Sequence, residues 1–326
     1  MKSINNLAVF TSGGDAPGMN ACIRAVVRAG IANGCKVYGI LHGYNGMIGD
    51  EFMLMDAARV GNIIQRGGTI LKTARSAEFM TKEGRKKAFA NLEKYNIDGV
   101  VAIGGDGTFT GASVFMNEYK EIRFVGIPGT IDNDLSGTDY TIGYDTAINT
   151  VVQAVDKIRD TADAHDRLFL VEVMGRDSGL IALYSGIASG AEAIVIPETP
   201  TNIDRLFQKL ERGWIRKKSS RIIIVAEGDE LGGAMVLADK VKQKFNFDTR
   251  VTILGHIQRG GSPTCNDRVL ATRLGYEAVE ALMKGRHGVM VGQINSQIVL
   301  TPFYEAIKDD GKMNMQLVKM AEILSM

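Results

Sequence analysis

Short runs rich in Val, Ile and Leu recur along the chain. Most end on a glycine-rich turn that opens into a segment of helical periodicity. This order constrains the fold more than any other feature, because strands separated by helices form βαβ units, and βαβ units build a parallel sheet. The pattern predicts strands over 7–10, 36–40, 99–103, 123–127, 168–173, 193–196 and 221–226. It predicts helices near 19–33, 81–95, 111–118, 144–161, 178–189, 203–217, 235–244 and 267–284. The strand runs are almost continuously apolar, as expected when helices cover both faces of a sheet. The expected class is α/β with a mostly parallel sheet. In such sheets ligands bind beyond the carboxyl ends of the strands, so the loops there carry the chemistry.

Composition narrows the alternatives. The chain has 326 residues, enough for about two domains. A second set of strands and helices starts near Tyr140. There are 38 Gly against 6 Pro, and the glycines cluster after strand runs rather than repeating, as loops that approach a ligand closely require. A net charge of +1 supports neither a nucleic-acid nor a membrane-surface partner. No run is long and apolar enough to predict a transmembrane helix. The three cysteines, Cys22, Cys35 and Cys265, form no C-x-x-C pair, and the expected compartment is the reducing cytoplasm.

Three loops stand out. In TSGGDAPGMN, Gly13 and Gly14 remove Cβ atoms just before a helix, which suits either a phosphate at a helix N-terminus or a plain βα turn. In GGDGT, Asp106 sits among glycines. A carboxylate there is costly beside phosphate unless a cation such as Mg²⁺ bridges them, and this reading is preferred to an Asx turn. In PGTIDND, Asp132 and Asp134 are spaced i, i+2, which in an extended segment puts both carboxylates on one face. One could take a proton from an attacking hydroxyl while the other orients it or a metal. The GGDGT loop fails G-x-G-x-x-G, and no G-x-x-x-x-G-K-[ST] occurs, so neither a dinucleotide fold nor a P-loop is supported. Arg75, Arg167, Arg176, Arg250 and Arg259 occupy loop positions, several of them after apolar strands where guanidinium forks could meet phosphate.

Six motifs in order, TSGGDAPGMNA, RGGT (Arg66–Thr69), GGDGT, PGTIDND, VEVMGR and LGHIQRGGSP, resemble the phosphofructokinase family, in its bacterial ATP-dependent form. The resemblance runs from about Leu7 to about Arg273. It implies two similar three-layer α/β/α domains with the active site in the cleft between them. Residues 1–142 with about 257–307 would bind ATP, and residues 143–256 with about 308–326 would bind the sugar phosphate. The implied reaction moves the γ-phosphoryl group of ATP to the 1-hydroxyl of fructose 6-phosphate. By resemblance Asp132 is the catalytic base, flanked by Thr130 and Asp134. Asp106 is the Mg²⁺-linked carboxylate. Gly14, Tyr44, Arg75, Ser76, Gly105, Asp106, Gly107 and Thr108 match the ATP site. Arg75 and Arg176 would stabilise the transferring group. Thr130, Ile131, Asp132, Met174, Gly175, Arg176, Glu227, His256 and Arg259 match the sugar-phosphate site, and Arg167 and Arg250 match arginines that reach a neighbouring subunit's site. A homotetramer with shared sites is implied.

The resemblance also bears on donor and regulation. Pyrophosphate-dependent members resemble GGDD and PKTIDND where this chain has Gly107 and Gly129, so glycine at both positions points to ATP. An effector site for ADP or phosphoenolpyruvate would use Arg24, Arg28, Arg159, Gly190, Glu192, Arg216 and Lys218. The chain departs from the best-known members at Ala57–Ala58, which lack an Arg-Tyr pair, and at Ser220, where a His can occur. Competing readings are another ketose phosphate (tagatose 6-phosphate or sedoheptulose 7-phosphate), pyrophosphate as donor, or a non-catalytic regulatory paralogue.

Overall fold

The computed structural model describes residues 4–164, 167–215, 221–245, 247–308 and 313–325. In chain order these form β1 (Asn6–Thr11), α1 (Met19–Ala32), β2 (Lys36–Ile40), α2 (Gly43–Ile48), β3 (Phe52–Met55), α3 (Lys82–Lys94), β4 (Gly99–Gly104), α4 (Asp106–Glu118) and β5 (Arg123–Pro128). There follow α5 (Tyr144–Asp163), β6 (Leu168–Val173), α6 (Leu180–Ala188), β7 (Ala193–Val195), α7 (Ile203–Ile215), β8 (Arg221–Ala226), α8 (Gly233–Lys244) and β9 (Thr249–Ile253). The chain closes with α9 (Cys265–Met283), β10 (Val289–Ile294), β11 (Gln297–Pro302), α10 (Phe303–Ala306) and α11 (Met315–Leu324). Short 3₁₀ turns occupy Glu78–Met80 and Gly255–Arg259. The chain divides into two compact units, Met1–Asp145 with Arg259–Asp310, and Thr146–Gln258 with Gly311–Met326.

The first unit holds a seven-stranded sheet in the order β11-β10-β5-β4-β1-β2-β3. The five inner strands run parallel, while β3 and β11 pair antiparallel at the edges. Alternate residues of β1 serve opposite faces, as strand periodicity requires. Ala8 and Phe10 join a core with Met47, Phe79, Leu92, Phe109, Phe115 and Phe303, under α2, α3, α4 and α10. On the other face Leu7 meets α1, which packs against α9. Gly275 allows that approach, since a Cβ there would lie 2.8 Å from Ala25 Cβ and 2.8 Å from the Cys22 carbonyl. Burial of these side chains, at about 1.5–3 kcal/mol each, is the main force holding the layers together.

The second unit holds a four-stranded, all-parallel sheet in the order β7-β8-β6-β9. Leu168, Leu170, Ile223 and Val225 pack against Leu206 and Leu210 of α7 and Leu237 and Val241 of α8. Thus an α/β layer fold with mostly parallel sheets stands, although the two sheets are unequal.

Several elements differ from expectation. Helix α4 starts at Asp106, not at 111, so the GGDGT motif enters the helix instead of preceding it. β3, β9, β10, β11, α2, α10 and α11 were not predicted. The β10–β11 hairpin turns on Asn295 (φ 48°) and Ser296 (φ 63°). Both take the left-handed conformation a two-residue hairpin needs, without the glycine that usually announces it. The predicted helix over 203–217 is described as far as Ile215; Arg216 and Lys218, predicted for the effector site, and Ser220 lie outside the described residues. No helix among the described residues is long and apolar enough to cross a membrane.

Candidate active site

Strands β5, β4 and β1 are neighbours in the larger sheet, so the loops leaving their carboxyl ends lie side by side. The chain runs from β1 outward to β2 on one side and returns to β4 on the other. This strand pair is therefore a topological switch point, where α/β sheets bind ligands. Backbone bonds tie the loops together: Ser12 N–H donates to Ile103 O at 3.0 Å, and Gly129 N–H to Gly104 O at 2.9 Å. Gly104 has to lack a side chain, because its Cβ would sit 2.3 Å from Thr108 Oγ1 and 2.6 Å from Ser12 O.

After β4, Gly105 is the N-cap of α4 and no side chain caps the helix. Asp106 and Gly107 are exposed in the first turn, and a Cβ on Gly107 would meet nothing within 4 Å. Uncapped N–H groups and the positive end of the helix thus face open space, the arrangement that binds phosphate. The Asx-turn alternative for Asp106 is not what forms. Tyr44, expected at the ATP site, lies buried behind the loop. Its hydroxyl donates to Thr108 O at 2.6 Å, its ring stacks on Phe79, and burial pushes its phenol pKa up.

The loop after β1 splits the roles of its two glycines. Gly13 (φ 85°) has open space at its Cβ position. Gly14, by contrast, makes room for Arg259: a Cβ would lie 2.3 Å from Nη1, and that nitrogen donates to Asp15 O at 3.2 Å. Asn20 on α1 donates to Arg66 O and Gly67 O and accepts from Ile70 N–H, which folds the RGGT segment. Gly67 in turn packs against Gly261, a Cβ there falling 2.3 Å from Gly261 O. Arg75 is exposed, its carbonyl held by Asn45 Nδ2, and Ser76 Oγ accepts from Phe79 N–H at the start of the 3₁₀ turn.

After β5, Thr130, Ile131 and Asp132 are buried. Thr130 Oγ1 accepts the Asp132 N–H at 3.2 Å, and Thr130 O accepts from Thr141 Oγ1 at 2.6 Å. The expected shared face of Asp132 and Asp134 does not form. Asn133 takes φ 54°, which breaks the extended geometry, and Asp134 is exposed while Asp132 is buried. Asn133 earns that conformation with its side chain, which donates to Asp139 O and accepts from Thr141 N–H. Gly129 also differs from expectation. Its Cβ would press on Ile103 at 2.9 Å and Met19 at 3.1 Å, so this glycine serves packing; the open position of the pair is Gly107.

In the second unit the segment after β6 carries Met174, Gly175 (φ 147°) and Arg176 (φ 51°). Glu227, just past β8, accepts with Oε1 from Gly175 N–H at 3.2 Å and Arg176 N–H at 2.9 Å. His256 is exposed on the 3₁₀ turn after β9. Arg167 and Arg250 lie elsewhere: both sit at the starting ends of β6 and β9, not at the carboxyl ends. Six residues of β6 separate Arg167 from Met174, roughly 20 Å at strand rise. Both arginines bond to one carboxylate, Arg167 Nε to Asp248 Oδ2 at 2.7 Å and Arg250 Nη1 to Asp248 Oδ1 at 2.8 Å. Of the effector candidates, Arg24 and Arg28 share the outer face of α1, Arg159 donates to Ser189 O, Gly190 is left-handed, and Glu192 is buried. A cavity of about 700 Å³ between β7, α7 and α11 includes Glu192 in its wall, but none of the residues assigned to phosphoryl transfer lines it.

The phosphofructokinase family model matches residues 6–282. The chain belongs to the phosphofructokinase family. An ATP-dependent 6-phosphofructokinase of Cytophaga hutchinsonii is 56% identical over 99% of this chain and 98% of its own length. ATP-dependent 6-phosphofructokinase 1 of Thermus thermophilus is 54% identical over 99% of this chain and all of its own. Among solved structures, Pichia pastoris phosphofructokinase in the T-state superimposes with a TM-score of 0.87 at 36% identity; this chain spans 37% of that one's length.

Four side chains that fix these segments carry no motif signal of their own: Asn20 and Asn133 in the first unit, Asp248 and Gln258 in the second. Asn20, Asn133 and Gln258 lie inside the recognised motifs, so their position was visible. Their partners are backbone groups distant in sequence or across a turn, and no spacing rule encodes those.

Proposed function

We infer that this chain is a kinase that transfers the γ-phosphoryl group of ATP to the 1-hydroxyl of fructose 6-phosphate, giving fructose 1,6-bisphosphate and ADP. One observation carries the reading. At the switch point of the larger sheet, an uncapped helix N-terminus bearing Asp106 stands one strand away from the buried Asp132. That pairs a phosphate-binding element with a carboxylate base on a single rigid scaffold. The two relatives at 54–56% identity bear the name ATP-dependent 6-phosphofructokinase, which supports the same donor and acceptor here.

Phosphoryl transfer needs positioning and charge neutralisation more than covalent help from the protein. In this reading Asp132 accepts the proton of the sugar hydroxyl as its oxygen bonds to the γ-phosphorus and the bond to the ADP oxygen breaks. The Thr130 hydroxyl fixes the backbone at Asp132, so the carboxylate is held before substrate arrives. Helix α4 receives the nucleotide phosphates through the amides of Asp106 and Gly107, the Thr108 N–H being held by Gly105 O at 3.0 Å, while Arg75 and Arg176 offset charge on the transferring group. Met174, Gly175, Glu227, His256 and Arg259 serve the sugar phosphate.

Mg²⁺ fits the donor set. Asp106 offers one exposed carboxylate beside a phosphate-binding turn, and no cluster of three or more His, Cys, Asp or Glu forms a protein cage among the described residues. Mg²⁺ prefers this arrangement, with one or two carboxylates plus phosphates and water. When bound, it neutralises phosphate charge. ATP is favoured over pyrophosphate because the space at Gly107 is open.

Arg167 and Arg250, held together by Asp248 at the far ends of their strands, suit a second subunit's site, which calls for at least a dimer; the homotetramer itself follows from family membership and closed symmetry. ADP or phosphoenolpyruvate would act at Arg24, Arg28, Arg159, Gly190 and Glu192. The cytoplasm is the proposed compartment, in keeping with three free thiols.

A donor and acceptor panel tests the reading: ATP and pyrophosphate, each with fructose 6-phosphate, tagatose 6-phosphate and sedoheptulose 7-phosphate, with and without ADP or phosphoenolpyruvate. Highest kcat/KM for ATP with fructose 6-phosphate is expected. Turnover with pyrophosphate alone, or a clear preference for another ketose, overturns the donor or acceptor assignment, and no turnover with any pair would mean a regulatory binding protein.

A further inference from the structure

Gln258 is 0% exposed, yet its side-chain amide is only half used. Oε1 accepts the Met174 N–H at 2.9 Å, while Nε2 has no hydrogen-bond partner among the described residues. An unpaired buried donor is unfavourable, and a Met side chain would fill similar volume without one. The acceptor is therefore what this position supplies.

The need for that acceptor follows from the backbone. The β6–β8 ladder ends at the Val173–Ala226 pair, so the N–H groups of Met174, Gly175 and Arg176 lie beyond it. Two side chains take all three: Gln258 holds the first and Glu227 holds the second and third. Gly228 completes the clamp, since a Cβ there would sit 1.9 Å from Arg176 O. Arg176 is left-handed, a conformation that persists in a non-glycine residue only when its surroundings over-determine it. Gln258 itself rides on the 3₁₀ turn after β9, which is pinned to β6 by the Leu254 N–H to Glu172 O bond at 3.1 Å.

We propose that Gln258 is a positioning residue, whose carbonyl fixes the Met174 amide and thereby aims the Met174–Arg176 segment. It acts on the reaction through Arg176, and the inference rests on the reading that this segment faces the sugar phosphate.

The test compares Gln258→Met with the unaltered enzyme, and runs Arg176→Ala in parallel. Two readouts are taken: steady-state constants for each substrate, and hydrogen–deuterium exchange of the peptide spanning 170–180. For Gln258→Met, kcat should fall at least tenfold and KM for fructose 6-phosphate rise at least fivefold. KM for ATP should stay within twofold, and exchange at 174–176 should quicken. Should the Met variant not fold, Gln258→Asn, which retracts the acceptor by one methylene, takes its place with the same expectation. Constants within twofold of the unaltered enzyme, or equal weakening of both substrates, would overturn the proposal. Unchanged turnover in Arg176→Ala would instead remove the segment's own assignment, which keeps the two failures apart.

Discussion

Gly107→Asp is the sharpest probe of donor choice. Gly107 is the second residue of α4, exposed, with open space where a Cβ would go. The fold therefore accepts the substitution. Aspartate in a first helical turn is favoured by the macrodipole by about 0.3–1 kcal/mol, partly offset by its neighbour Asp106. The melting temperature should move by no more than about 3 °C. Binding is another matter. The new carboxylate would face the space assigned to the nucleotide phosphates. At a separation of about 5 Å and an effective dielectric near 20, each pair of like unit charges costs about 3 kcal/mol. That is roughly a hundredfold in affinity. A coupled assay of ADP release, with ATP titrated at saturating fructose 6-phosphate, should show KM for ATP raised by about that factor, with KM for the sugar phosphate little changed. A folded variant with KM for ATP within twofold of the original would mean that the nucleotide phosphates do not lie at the α4 N-terminus.

Other substitutions address the remaining roles. Asp132→Asn should lower kcat by about 10²–10⁴, the usual worth of a general base, while fructose 6-phosphate still binds by calorimetry; near-full activity removes Asp132 from the base role. Arg85→Ala breaks a two-pronged pair with Glu118 (2.6 and 2.7 Å) and bonds to Phe79 O and Met80 O, and should cost about 2–4 kcal/mol by chemical denaturation. The Arg85 hydrogen bond, followed by its charge, holds the Glu118 carboxyl below its ordinary range. Stability from that pair is thus present above the ordinary carboxylate range and lost as pH falls through the lowered value. Acid titration of the melting temperature should be shallower in Arg85→Ala, and an unchanged slope would contradict the pairing. Asp248→Ala frees both Arg167 and Arg250, and should raise KM for fructose 6-phosphate severalfold in a steady-state assay without changing KM for ATP; no change in either would separate these arginines from the sugar phosphate.

The βαβ alternation, the strands β1, β2, β4, β5, β6, β7 and β8, and the family motifs were legible in the chain, because continuous apolar runs and glycine punctuation are local signals. Asp106 and Asp132 could be named from their motifs alone. The edge strands β3 and β11, the short helices and the hairpin at Asn295–Ser296 were not legible, since their apolar patterns are brief and their turn lacks glycine.

What the sequence determined by itself was which residue types stand at the ends of which strands, for these are fixed by covalent order. Tertiary structure alone decided what each residue meets. It turned Asn133 left-handed and so parted Asp132 from Asp134, gave Gly14 to Arg259 and Gly129 to the core, and set Arg167 and Arg250 on the opposite strand ends from Arg176. The physical reason is that hydrogen-bond partners and steric neighbours are chosen by packing across the sheet, among groups that sequence spacing leaves far apart.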